Sequence, residues 1–99
     1  MRISRAAKRY SKASLEFAIE KNVSNDVKND FKNILDVISN SLQLNEFLSS
    51  PVISSNLKST ILFKVFPDLS EKTKSIISLL SKNRRLSILD QVAKDFIFI

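Results

Sequence analysis

The stretch "AKRYSKASLEFA", residues Ala7–Ala18, supports two readings, and the choice between them decides the fold. The first twelve residues carry Arg2, Arg5, Lys8, Arg9 and Lys12 and no acidic side chain, as an arm for phosphates or a targeting peptide would. Wound as a helix, however, the same residues sort into faces. Ile3, Ala6, Tyr10, Ala13 and Phe17 form one stripe, with Ala7, Ser11, Ser14, Leu15 and Ala18 continuing it sideways. The cations, Glu16 and Glu20 take the opposite face, where i,i+4 spacing sets Lys12 against Glu16. A targeting peptide is Arg- and Ser-rich and poor in acids, but here the stripe runs unbroken into Phe17 beside Glu16 and Glu20. A folded first helix over Ser4–Lys21 is the better reading.

The rest of the chain repeats the helical period. "VSNDVKNDFKNILDVISNS" (Val23–Ser41) places Val27, Phe31, Ile34, Leu35 and Ile38 on one face, with Ser24 or Asn25 as cap and Asp26 and Asp30 suited to the positive helix end. "SLQLNEFLSS" (Ser41–Ser50) turns Leu44, Phe47 and Leu48 inward and stops before Pro51. "SSNLKSTILFKVF" (Ser54–Phe66) has Leu57, Ile61, Leu62 and Val65 at helical spacing and ends at Pro67. Asp68–Glu71 has capping-box spacing ahead of "SEKTKSIISLLSKN" (Ser70–Asn83). Leu69, Thr73, Ile76, Ile77, Leu79 and Leu80 cover one broad face of that fifth helix. "NRRL" links it to "LSILDQVAKDFIFI" (Leu86–Ile99). Short connections bring neighbouring helices roughly antiparallel. The expected fold is all-α, a compact six-helix bundle forming a single domain over residues 1–99. The apolar end, Phe96–Ile99, reads as a point inside a longer protein.

Composition removes most chemistry. The 99 residues include no Cys, no His and no Gly. Thiolate and zinc chemistry lose their ligands. The phosphate-cradling loops lose the glycines that let backbone approach a nucleotide. The carboxylate pairs Asp26/Asp30, Glu16/Glu20 and Asp90/Asp95 read as solvated helix faces and not as an acid–base dyad. No apolar run approaches the ~18 residues that a membrane span needs. The expectation is a non-enzyme with no catalytic residue, no cofactor and no metal. The net charge of +6 lies mostly at the start of the chain. It leaves one rival, a basic helical nucleic-acid-binding module in which the first helix and Asn83-Arg84-Arg85 follow phosphates. Against it, Tyr10 sits on the apolar stripe instead of among the cations, and most phenylalanines fall at core spacing.

Two helices carry more apolar surface than a bundle helix needs. On the first, the surplus is small: Ala6, Ala7, Ser11, Ala13, Ser14 and Ala18, with Tyr10 among them. On the fifth, Ile76 and Leu79 extend beyond Ile77 and Leu80, edged by Ser75 and Ser78. Small residues admit another helix closely, so the pair reads as a groove for a partner's amphipathic helix.

Three blocks carry a resemblance. "RYSKASLEFAIEKN" (Arg9–Asn22), "FLSSPVISSNLK" (Phe47–Lys58) and "LLSKNRRLSILDQVAKDF" (Leu79–Phe96) resemble, in order and spacing, the delta subunit of ATP synthase. The mitochondrial relative in that family is the oligomycin sensitivity-conferring protein. Arg84 departs from the family pattern, which often has Gly after the Asn. The resemblance implies a six-helix N-terminal domain on top of the catalytic head, whose first and fifth helices hold the N-terminal helix of an alpha subunit. Carried over, Tyr10 and Ala13 match groove positions on the first helix, and Ser75, Ile76 and Leu79 match on the fifth. Ala6 and Phe17 join them by helical spacing. It further implies a smaller C-terminal domain that meets the b subunit of the peripheral stalk. The implied role is a stator subunit of the proton-translocating complex. Its implied place is peripheral, on the cytoplasmic face of a bacterial inner membrane or the organellar matrix or stromal equivalent. The isolated domain is expected to be monomeric.

Overall fold

Serine hydroxyls set three of the helix starts. Ser4, Ser41 and Ser54 each hold extended backbone and accept a hydrogen bond from the amide three residues on, at 3.1, 3.2 and 3.1 Å. The computed structural model describes residues 2–99. Its helices are α1 (Arg5–Glu20), α2 (Ser24–Ser39), α3 (Leu42–Ser49), α4 (Ser55–Val65), α5 (Glu71–Lys82) and α6 (Leu89–Phe98), with a 3₁₀ turn at Leu86–Ile88 before α6. The six-helix, all-α expectation stands, with α1 one residue shorter at each end and the sixth segment opening as 3₁₀. The Cα radius of gyration is 12.2 Å, close to the ~13 Å typical of a compact chain of this length.

The core is one apolar cluster. α6 packs most heavily on α2 and then on α1, so the last helix closes the bundle against the first two. Phe31 of α2 and Phe96 of α6 meet edge to face, with centroids 5.0 Å apart. This geometry adds about 1 kcal/mol beyond area burial. The small line Ala7, Ser11, Ser14 and Ala18 is the buried side of α1. Polar bonds fix its register on α6. The Ser4 amide donates to Gln91 Oε1 at 2.8 Å, and the buried Ser11 hydroxyl donates to the Asp95 carboxylate. α1 and α6 therefore run in the same direction.

Several local expectations are corrected. α2 begins without a side-chain cap from Ser24 or Asn25, because α1 ends in a tight reversal that leads straight into it. The Val23 amide bonds the Ala18 carbonyl and the Asn22 amide bonds that of Ile19, with Asn22 at φ 60°. The capping box at Asp68–Glu71 does not form. Ser70 occupies the cap position of α5, but its amide and hydroxyl both donate to Asp30 Oδ2, at 3.0 and 2.8 Å. The buried Thr73 hydroxyl donates to the same oxygen at 2.6 Å. Asp30 is thus a cap supplied to α5 from α2, and neither it nor Asp95 lies on a purely solvated face. Lys12 and Glu16 do not pair: among the described residues one ion pair forms, Lys74–Glu71 at 3.7 Å. An exposed pair of that kind is worth only a few tenths of a kcal/mol.

On α4 the inward line is Lys58 and Leu62, while Leu57 and Val65 are 48% and 44% exposed. Lys58 folds inward because its Nζ donates to the Ser50 carbonyl at 2.8 Å, at the C-terminal end of α3 where backbone carbonyls lack helical partners.

Arg84 holds φ 58° just past α5, with its own amide on the Ser81 carbonyl and the Arg85 amide on that of Leu80. This is a Schellman end, where Gly is favoured because it has no Cβ to clash in the left-handed region. Arg84→Gly is expected to raise stability by about 0.5–1 kcal/mol, with relief of the clash exceeding the added chain entropy. Urea unfolding with unchanged m checks it.

Candidate functional site: the groove between α1 and α5

The small residues that bury α1 leave its second stripe beside the core instead of within it. Ala7, Ser11, Ser14 and Ala18 face inward, and Ala6, Tyr10, Ala13 and Phe17 lie along the neighbouring flank. Ala6, Tyr10 and Phe17 are half-buried and Ala13 is exposed. On α5, Thr73, Ile76, Ile77 and Leu80 face the core, while Ser75 and Leu79 remain exposed. Leu79 keeps 47% of its surface open, an unusual outcome for a leucine one residue from the buried Leu80.

These flanks face each other across a cleft of about 210 Å³, lined by Ala13, Ser14, Phe17, Ser75, Ile76 and Leu79. α1 and α5 do not pack closely against one another along it. Ile76, 4% exposed, forms its floor. At one end, Lys72 of α5 reaches over the Phe17 ring, with Nζ 6.0 Å from the centroid, a cation–π contact that holds the ring as a wall. Lys72, in the first turn of α5, thus lies beside Phe17, in the last turn of α1, while Leu79 at the other end of α5 shares the cleft with Ala13. α1 and α5 therefore run antiparallel along the groove.

Of the residues read from sequence, Ala13, Phe17, Ser75, Ile76 and Leu79 come together in the cleft. Ala6 and Tyr10 do not line it, although they continue the same α1 flank one and two turns toward the N-terminus. Ser14 and Lys72 were missed as site residues. Ser14 counted only as part of the small surplus, yet it spans the edge between buried face and cleft. Lys72 reads as a surface lysine, and its stem-and-head reach to Phe17 depends on the α1/α5 approach.

The cleft can bury apolar side chains. It lies below the ~300–1,000 Å³ usual for small-molecule sites and matches one or two anchoring side chains of a larger partner. A larger hollow of about 690 Å³ lies between the Pro51–Ser55 loop, the start of α4 and the end of α5. Ser54, Ser55, Asn56, Ser59, Ser78, Ser81, Lys82 and Arg84 make most of its wall, so covering it would gain little from the hydrophobic effect. No described helix is long and apolar enough to cross a membrane.

The profile of the family "ATP synthase delta (OSCP) subunit" matches residues 6–98. Proteins named ATP synthase subunit delta are similar along nearly the whole chain. The one from Christiangramia forsetii is 41% identical over 97 residues, covering 98% of this chain and 53% of the relative. That from Flavobacterium psychrophilum is 38% identical over 96 residues, covering 97% and 54%. That from Chlorobaculum parvum is 40% identical over 92 residues, covering 92% and 51%. The chain spans about half the length of these curated relatives. With the profile matched across α1 to α6, the chain belongs to the ATP synthase delta (OSCP) subunit family.

Proposed function

We propose that this chain is the head-binding part of a non-catalytic stator subunit in a proton-translocating ATP synthase, and that the α1/α5 groove holds the N-terminal helix of an alpha subunit. The single observation that carries this reading is the open apolar cleft between two helices of a chain that belongs to the delta family. In such a complex a central shaft turns inside a catalytic head, and the head must be kept from turning with it. The chemistry required of the clamp is slow dissociation. A helix laid along the cleft, with apolar anchors over Ile76 and between Phe17 and Leu79, would be desolvated at its centre, where interface energy concentrates. The subunit would sit peripherally on the membrane-bound complex, on the cytoplasmic face of a bacterial inner membrane or its organellar equivalent. Contact with the b subunit of the peripheral stalk would fall to the C-terminal domain that the family resemblance implies.

Calorimetric titration with a synthetic peptide of the alpha subunit's N-terminal helix tests the reading. One site with negative ΔCp is expected, the mark of apolar burial. Arg5→Ser should change its affinity less than about twofold at 0.15 M salt, because exposed charges are screened over about 8 Å. Absence of peptide binding, with RNA or DNA bound on a steep salt slope, would instead support the basic nucleic-acid module.

A further inference from the structure

The flank of α5 away from the groove borders the hollow of about 690 Å³. Ser78, Ser81 and Lys82 form its wall on α5, and the turn that follows adds Arg84. Ser54, Ser55, Asn56 and Ser59 form the facing wall on α4, and Pro51, Val52 and Ile53 supply a short apolar side. Its volume falls in the ~300–1,000 Å³ range of small-molecule sites, for which the α1/α5 cleft is too small. Two hydrogen bonds hold the walls in place. The Ser81 hydroxyl donates to the Ser55 carbonyl at 3.1 Å and joins α5 to α4. The Lys58 ammonium donates to the Ser50 carbonyl at 2.8 Å and ties α4 to the residue before Pro51.

The charge of the hollow is one-sided. Lys82 and Arg84 line it, and among the described residues no carboxylate does. Among those residues neither cation forms an ion pair. The negative pole of α5 offsets the repulsion between them, since Lys82 lies in its last turn and Arg84 follows its C-cap, Asn83. The hydroxyls of Ser54, Ser59 and Ser81 are engaged with backbone groups. Those of Ser55 and Ser78, and the side-chain amide of Asn56, have no partner among the described residues. Arg84 is placed at this wall against its own backbone preference. It holds φ 58°, where a Cβ is unfavourable and Gly would relieve the clash. Such strain at a residue whose side chain lines a cavity points to a use for that side chain.

We propose that the hollow binds a small hydroxylated phosphate ester, of the sugar-phosphate or mononucleotide class. The phosphate lies between Lys82 and Arg84, whose donors suit a dianion. The ligand's hydroxyls reach Ser55, Asn56 and Ser78, which can each donate and accept. The apolar face of its ring rests on Val52 and Ile53. A purely apolar ligand would leave these polar groups desolvated without partners. Inorganic phosphate would meet the cations but leave most of the volume to water. The site is separate from the α1/α5 groove, and neither reading depends on the other.

The test uses the 99-residue chain, labelled with ¹⁵N, and three probes at low salt: ribose 5-phosphate, ribose and inorganic phosphate. Ribose 5-phosphate should shift the amides of Ser55, Asn56, Ser78, Lys82 and Arg84 and saturate with a Kd of about 1 mM, the affinity that ordinary ligand efficiency gives a molecule of its size. Inorganic phosphate should bind at least about fivefold more weakly, and ribose without its phosphate should not saturate. Arg84→Gly should weaken ribose 5-phosphate at least about fivefold although it makes the fold more stable, so that binding and stability move in opposite directions. Lys82→Gln should weaken it to the same degree with the rest of the amide spectrum unmoved. Shifts without saturation up to about 20 mM overturn the inference, as do shifts centred on Arg5 and Lys8. Equal affinity for inorganic phosphate overturns the ligand class, and undiminished binding by Arg84→Gly or Lys82→Gln overturns the site.

Discussion

Ala13→Asp is expected to weaken binding of the alpha-subunit N-terminal peptide by about 100-fold while leaving the chain folded. Ala13 is exposed in the free chain and lines the cleft with Phe17, Leu79 and Ile76. An aspartate there is hydrated until the groove is filled. The incoming helix would then strip its water and offer apolar side chains in return. Leaving a carboxylate desolvated without a partner costs several kcal/mol, and about 3 kcal/mol corresponds to the 100-fold loss. The effect on folding is limited to the helix-propensity difference, about 0.5 kcal/mol. Calorimetry on both proteins, with circular dichroism melts as the control for folding, checks the prediction. A folded variant that binds within about threefold of the parent would refute the assignment of this wall.

Asp30→Ala carries the largest expected effect on stability, a loss of about 3 kcal/mol and roughly 15 °C in Tm. One carboxylate oxygen receives the Ser70 amide, the Ser70 hydroxyl and the Thr73 hydroxyl. Thr73 is fully buried, so removing Asp30 leaves its hydroxyl with the Ser70 hydroxyl, 3.0 Å away, as its one side-chain partner and leaves the first turn of α5 short of an acceptor. Asp30→Asn should lose about half as much, since an amide oxygen still accepts but carries no charge. In the double variant Asp30→Ala/Thr73→Val the buried, under-satisfied hydroxyl is gone, and part of the stability should return. Urea unfolding of the three variants measures this. A change under about 0.5 kcal/mol for Asp30→Ala would show that the bonds are replaced by water at no cost. The link also bears on the site, because it holds the N-terminal end of α5, and with it Lys72, beside the end of α1.

The contrast between these two positions explains what the sequence could tell. Ala13 was legible because a surplus of small and apolar residues on α1 is a local pattern that helical spacing exposes. The same holds for Ile76 and Leu79 on α5, and the three blocks that resemble the delta family covered the same helices. Asp30 was misread as serving the end of its own helix, since nothing in its neighbourhood announces a partner 40 residues away. Lys58 was likewise hidden: period alone favours Leu57 and Val65, and only the free carbonyl at the end of α3 makes the lysine the better inward residue. Register between faces of one helix was the other weak point. The line Ala7, Ser11, Ser14 and Ala18, read as a sideways continuation of the Tyr10–Phe17 stripe, is the core face of α1, and its small side chains bring α1 close to α6. With that line buried, Ala13 and Phe17 on the neighbouring flank are left as one wall of the cleft, and Ala6 and Tyr10 continue the flank beyond its end.

The central claim, that the α1/α5 groove holds the N-terminal helix of an alpha subunit, is tested most directly by mapping amide chemical shifts of the ¹⁵N-labelled chain as that peptide is added. The account predicts that the largest changes cluster at Ala13, Ser14, Phe17, Ser75, Ile76 and Leu79. Changes centred on the serine-lined hollow at Ser54–Ser59 and Lys82–Arg84, or on the cationic outer face at Arg5 and Lys8, with the groove amides unmoved, would contradict it.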